Sequence, residues 1–221
     1  MKMVDLVIFD CDGVLVDTEI LAAEATVAAL ARLGVTMTVD DAAHELVGLV
    51  VDESRRKLEQ IHGITLPPDF MDEVNHRLDE ASRQKLRPID GIVDVLDRLD
   101  RPYAVASNSM RDRLRLSFEV TGLAPYFAGR TFSAEDVARG KPAPDLYLHV
   151  ASTMGVPPDR CLVIEDSVPG VTAAKAAGME VVGFCGAAHI APGQEDRLRA
   201  AGASGILHRH AAFFDLPQLK R

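Results

Sequence analysis

The chain has 221 residues, 48% of them hydrophobic and 26% charged, with a formal net charge of −9. This length holds one large domain or two modest ones, and the negative balance argues against non-specific nucleic-acid binding and against anionic membrane surfaces. No apolar stretch reaches the ~18 residues a membrane span needs, and a start of one Lys followed by a run containing Asp5 does not read as a signal peptide.

The first predicted element is a strand over Leu6-Val7-Ile8-Phe9, an apolar run without polar alternation, as expected of a strand buried on both faces of a parallel sheet. From Thr18 the pattern turns helical. Ile20 to Leu33 is Ala-rich with a stop at Gly34; Asp40-Asp41 opens a second helix that Gly48 would end. Asp52 or Ser54 caps a third, which ends near His62-Gly63, and after the Pro67-Pro68 break a fourth runs from Asp69 to Lys85. No strand is evident between Thr18 and Arg87, so residues 18–87 read as an inserted helical domain, with 1–17 and 88–221 forming the core.

From Pro88 the alternation of an α/β sheet resumes. Helices are predicted over Gly91–Leu99, Arg111–Val120, Pro144–Met154, Pro169–Ala177 (capped by Ser167) and Gln194–Ala201. Strands are predicted over Tyr103–Ser107, Arg130–Phe132, Cys161–Ile164 and Val181–Phe184, with a last edge strand at Gly205–Leu207. The fold class is α/β: a doubly wound parallel sheet with a small inserted α-helical domain.

The polar residues that stand out lie where these strands end, which is where ligands collect in open α/β sheets. Asp10 and Asp12 follow the first strand and precede Gly13, which permits a sharp turn. Two carboxylates so close resist joint ionisation; a divalent cation removes the conflict, and Mg²⁺ prefers oxygen ligands. With a metal bound, one carboxylate can attack a phosphoryl group while the other handles protons on the leaving oxygen and on water. Ser107 and Asn108 follow the second strand, where hydroxyl, amide and backbone N–H groups suit phosphate oxygens; the plainer reading is a cap for the helix from Arg111. Lys141, within Gly140-Lys141-Pro142-Ala143-Pro144, offers a point cation for phosphate, and the Lys141–Pro142 bond is a candidate for cis geometry. Glu165-Asp166 ends an apolar strand, where adjacent acids are costly unless paired or metal-bound.

Asp10-Cys11-Asp12-Gly13, Ser107, Lys141 and Glu165-Asp166, in that order, resemble the four motifs of the haloacid dehalogenase superfamily, and the helical insert resembles the cap of its β-phosphoglucomutase-like phosphatases. The resemblance spans nearly the whole chain. It implies a Rossmann-like core, with Asp10 as nucleophile and metal ligand. It implies Asp12 as acid/base, lending its backbone carbonyl to the metal; Ser107 and Lys141 as binding the transferring phosphate, with Asn108 read beside them as substrate-binding from its position; and Asp166, supported by Glu165, as completing a Mg²⁺ site. The second acid of the first motif, generally missing from the superfamily's dehalogenases and phosphonate-cleaving enzymes, favours phosphate-ester hydrolysis.

The expected function is a Mg²⁺-dependent phosphatase for a small phosphorylated metabolite, a sugar phosphate or sugar-acid phosphate, working through an aspartyl-phosphate. The alternative is a β-phosphoglucomutase-type phosphomutase, and a third reading is a non-catalytic binder of phosphate ligands. In mutases of that type a cap histidine and a cap arginine assist; here their places fall on Ala22 and, aligned on Gly48, on Val51, which favours the phosphatase. His44, Arg55, Arg56 and Lys57 are nearby substitutes, or simply the wet faces of cap helices. His189 reads as a loop histidine near the site, and His208 and His210 as a solvated surface segment. The odd set Cys11, Cys161 and Cys185, each in or beside an apolar run, reads as reduced, buried thiols in the cytoplasm. The expected assembly is a monomer or weak homo-oligomer.

Overall fold

Short apolar runs that end in polar residues build the sheet. In the computed structural model, which describes residues 3–46 and 51–220 (Val51 by its backbone alone), the strands are β1 (Leu6–Phe9), β2 (Tyr103–Ser107), β3 (Thr131–Ser133), β4 (Cys161–Glu165), β5 (Glu180–Phe184) and β6 (Gly205–Leu207). They form one parallel sheet in the order β3-β2-β1-β4-β5-β6. Every residue of β1, β2 and β4 is buried, which explains the lack of polar alternation: helices cover both faces.

On one face, Leu6, Ile8, Ala104, Ala106 and Val163 pack against Leu146, Tyr147 and Val150 of α7 (Asp145–Met154), Val171 and Ala174 of α8 (Val168–Ala176) and Leu198 of α9 (Gln194–Ala201). On the other, Phe9 meets Tyr103 and Phe213, and Phe127 stacks on Phe118 of α6 (Arg111–Thr121). Helix α5 (Ile92–Arg98) precedes β2. Short 3-10 turns at Ala124–Phe127, Ala134–Asp136, Pro158–Arg160 and His210–Asp215 were not foreseen from the sequence.

The chain divides into two compact units, Met1–Asp17 with Arg87–Arg221, and Thr18–Leu86. The second contains α1 (Glu19–Arg32), α2 (Val39–Leu46), α3 (Val51–His62) and α4 (Phe70–Lys85), and no strand among its described residues. Its interior holds Leu21, Ala25, Leu30, Leu58, Phe70, Val74 and Leu78, and Arg32–Glu73 and Lys85–Glu24 ion pairs tie α1 to α4. Helix α3 begins before both caps read for it: Asp52 lies in its first turn and Ser54 is buried within it.

The strand order reverses direction beside β1. The chain proceeds from β1 to β2 and β3 on one side, then crosses to β4 on the other. Ligands bind at such a switch point, outside the carboxyl ends of the strands. Because Phe9 lies opposite Ile164, Asp10 comes level with Glu165 and its N–H bonds to the Ile164 carbonyl at 3.0 Å.

Candidate active site

The first loop is built so that β1 can end abruptly. The N–H groups of Val14, Leu15 and Val16 converge on the Cys11 carbonyl, and Gly13 turns the chain at φ 81°. Any side chain there would be excluded by packing as well as by conformation: a Cβ on Gly13 would stand 1.9 Å from Oδ2 of Asp166 and 3.0 Å from the His189 ring. The turn therefore brings the first loop directly against the end of β4.

Around it four charged side chains are buried together: Asp10, Lys141, Glu165 and Asp166. Lys141 Nζ donates to Asp10 Oδ1 and to Glu165 Oε1, each at 2.6 Å. One ligand oxygen from each of Asp10, Glu165 and Asp166 lies within 4.8 Å of the others. Three carboxylates thus face a single ammonium. Burial, and then the neighbouring acids, raise Asp10 well above the usual carboxylate range against the pull of Lys141. Burial raises Asp166 to about 6, with Glu165 adding to it and His189 opposing. Burial alone would discharge Lys141, but Asp10 and Glu165 overcome it and hold the ammonium well above its ordinary value. Carboxylates that outnumber the ammonium in a buried site carry charge that a hard dication neutralises, and their oxygen donors fit Mg²⁺.

Glu165 is held on all sides. Its Oε1 also accepts from the Tyr147 hydroxyl at 3.1 Å, and its Oε2 from the Ser167 N–H and hydroxyl, both at 2.9 Å. Ser167 caps α8 as the sequence suggests, accepting from the Gly170 N–H at 3.1 Å.

Asp12 belongs to the same loop, and its carboxylate has hydroxyl partners of its own. Its Oδ2 accepts from the Ser109 hydroxyl at 2.7 Å and lies 3.5 Å from Ser107 Oγ, while the Ser133 hydroxyl secures the Ser109 carbonyl at 2.7 Å. A carboxylate in contact with hydroxyl groups has the chemistry for proton transfer.

The Asn108 side chain is engaged with the Lys141 backbone. Its Oδ1 accepts from the Lys141 N–H at 2.8 Å and its Nδ2 donates to the Lys141 carbonyl at 3.0 Å. It fastens the Lys141 backbone, where the Lys141–Pro142 bond is cis. The 107–108 segment does not cap α6: the Arg111 N–H bonds to the Glu135 carboxylate at 2.8 Å, and no side chain of the N-cap residue Met110 does so.

Tyr147, Ser109, Ser167, Asp17 and His189 were not singled out as site residues by the sequence. His189 Nε2 lies 3.2 Å from Asp166 Oδ2, and its Nδ1 lies 2.9 Å from Asp17 Oδ1. Both carboxylates overcome the effect of burial and raise the ring to about 10. His210, read as solvated, is fully buried: it stacks on Phe184 at 4.4 Å and Nε2 donates to the Val14 carbonyl at 2.8 Å. His208 is exposed, 3.5 Å from Glu195. Cys11, Cys161 and Cys185 are free thiols, the last only partly buried.

In the helical unit, Arg55 is committed to its own fold, donating to the Leu66 and Pro67 carbonyls, and Lys57 pairs with Glu45 at 2.9 Å. Arg56 and His44 are exposed. The comparison made at Gly48 and at the Val51 side chain lies outside the described residues.

Comparison with known proteins agrees with this geometry. A model of the haloacid dehalogenase-like hydrolase family matches residues 7–184. The 6-phosphogluconate phosphatase of Escherichia coli (strain K12) is 31% identical over 194 residues, covering 87% of each chain. A haloacid dehalogenase-like protein of unknown function from Agrobacterium tumefaciens superposes with a TM-score of 0.87 at 40% identity, over 95% of this chain and 96% of that one. A family hydrolase from Deinococcus radiodurans, solved with bound phosphate and sodium, gives 0.84 at 36% identity, over 95% and 93%.

Proposed function

The chain belongs to the haloacid dehalogenase-like hydrolase family, and we propose that it is a Mg²⁺-dependent phosphatase acting on a small phosphorylated metabolite. The observation that carries the reading is the burial of Asp10, Glu165 and Asp166 around Lys141 at the point where the strand order reverses. Relatives named as phosphatases, and the phosphate-bound hydrolase structure, support it.

In this reading Mg²⁺, held by Asp10, Asp166 and the Asp12 carbonyl with Glu165 beside them, supplies charge neutralisation and orients the phosphoryl group. Phosphoryl transfer is mostly positioning and electrostatics. An Asp10 carboxylate oxygen attacks phosphorus as the bond to the ester oxygen breaks, and Asp12 protonates the departing alkoxide. Asp12 then takes a proton from the water that attacks the aspartyl-phosphate, releasing inorganic phosphate and restoring Asp10. Lys141 offsets the charge of the attacking carboxylate and the transferring oxygens, and Ser107 holds one of those oxygens.

Residues 18–86 form a separate helical unit joined to the rest by two connections, and the substrates in this reading are small molecules. The proposal prefers sugar phosphates and sugar-acid phosphates and places the enzyme in a reducing compartment, the cytoplasm. The phosphomutase alternative asks the helical unit for a cation to grip a second phosphate, and Arg55 is spent on backbone carbonyls.

The test is phosphate release from p-nitrophenyl phosphate and a panel of phosphorylated sugars and sugar acids. Release that requires Mg²⁺ and vanishes in Asp10→Asn is expected. A wild-type protein that releases no phosphate with Mg²⁺ refutes the reading, and interconversion of hexose 1- and 6-phosphates primed by a bisphosphate favours the mutase.

A further inference from the structure

Asp166 sits at the acidic cluster, and its Oδ2 is engaged by a residue that the proposed chemistry does not use. His189 lies in the segment between β5 and α9, and its side chain is 4% exposed. It reaches Asp166 Oδ2 with Nε2 and Asp17 Oδ1 with Nδ1. Carboxylates only accept, so with both of them ionised each ring nitrogen donates and the imidazole is a cation. Asp17 is in turn held by the Ala188 N–H at 2.7 Å, so the ring and its anchor lie in one closed loop of bonds. The same Asp166 oxygen lies against Gly13, in the space that a side chain there would occupy: a Cβ would stand 1.9 Å from it. The Gln194 amide also holds the Asp166 carbonyl at 2.6 Å. Asp166 is thereby held at its backbone carbonyl and at one carboxylate oxygen.

We propose that His189 is a positioning residue for Mg²⁺ loading: anchored by Asp17, it holds the Asp166 carboxylate in the orientation that the metal requires. The inference rests on Asp166 being a metal ligand, as in the function proposed above. Partners that orient a ligating carboxylate typically contribute 10–100-fold to metal affinity.

The experiment separates the two arms of the ring. In His189→Gln the side-chain amide stands near the place of Nε2 and keeps a donor for Asp166; in His189→Asn it stands near the place of Nδ1 and keeps only the donor for Asp17. Mg²⁺ titration by calorimetry on the full chain, without substrate, reads the affinity directly, and thermal unfolding of the same samples reports folding. We expect Mg²⁺ binding to weaken by about 10–100-fold in His189→Asn and to stay within a few-fold of wild type in His189→Gln, with a corresponding rise in the Mg²⁺ needed for half-maximal phosphate release. Asp17→Asn loosens the anchor while keeping the ring's bond to Asp166, and should weaken Mg²⁺ binding by no more than a few-fold, as in His189→Gln. A merely structural bridge lowers the melting temperature of both His189 variants alike and leaves Mg²⁺ affinity unchanged; that result overturns the inference. A wild-type protein that binds Mg²⁺ and releases phosphate, beside variants of unaltered affinity, refutes the role of His189 alone. A wild-type protein that does neither refutes the phosphatase reading itself and the inference with it.

Discussion

Replacing Gly170 by Ala should destabilise the protein, although helix propensity predicts the opposite. Gly170 lies inside α8, away from the left-handed backbone region, and a helical Gly→Ala change ordinarily gains about 1 kcal/mol. Here a Cβ would stand 1.7 Å from Glu165 Oε1, 1.9 Å from Cδ and 2.4 Å from Oε2. Glu165 is wholly buried and cannot step aside without releasing bonds from Lys141, Tyr147 and Ser167. Overpacking costs about 1–3 kcal/mol, and each buried polar group left unsatisfied about 1–3 kcal/mol more. Against the propensity gain, and with one polar group left unsatisfied, a net loss of about 1–5 kcal/mol remains, a fall of roughly 2–20 °C in the melting temperature at this size. Because Glu165 helps to seat Lys141, phosphatase activity should fall well beyond what the folded fraction accounts for. Thermal unfolding and phosphate release on the same preparation check this. A Gly170→Ala protein that melts at or above the wild-type temperature with full activity refutes the argument that Glu165 is fixed by its neighbours.

Lys141→Met leaves three buried carboxylates without their ammonium; kcat should fall at least 10²–10³-fold, about the effect of losing one strong electrostatic donor, as read by steady-state phosphate release. Asn108→Ala removes both bonds to the Lys141 backbone and should lower stability by about 1–3 kcal/mol in denaturant melts, with kcat reduced more than KM raised. Burial lowers His210 to about 4. Between pH 6.5 and 4 the unfolded chain therefore binds a proton that the native state refuses, and stability falls as the pH falls. The contribution reaches about 3 kcal/mol at 1.36 kcal/mol per unit, so the stability gap between wild type and His210→Gln should narrow by about that amount from pH 7 to pH 4 in pH-dependent denaturant unfolding.

The fold could be read because its signals are local. Strands covered on both faces must be continuous apolar runs, such as Leu6–Phe9 and Cys161–Ile164, and helices stop at glycines such as Gly122 and Gly155. The acids could be read because they end those runs, where an uncompensated charge is costly. What escaped depends on distant pairing. Asp17 and His189 meet across 172 positions, and nothing in either neighbourhood announces the other. His210, flanked by His208-Arg209, looks solvated, yet its turn folds back so that Phe213 packs on Phe9 in β1. Asn108 beside Ser107 has the chemistry of a phosphate ligand, and only the approach of the Lys141 backbone reveals its fastening role.

The central place of β1 imposes an order of events on the ribosome. Val7 pairs with Tyr103 and Leu162, so one of its flanks waits for a partner made about 150 residues later, a delay of about 10–30 s at ordinary elongation rates. The helices of residues 18–86 need only near neighbours and can close while that strand is still half-clad. An exposed apolar ribbon is thus carried through most of translation, and it is there, rather than in the finished enzyme, that nascent chains are most open to chaperone capture or to aggregation.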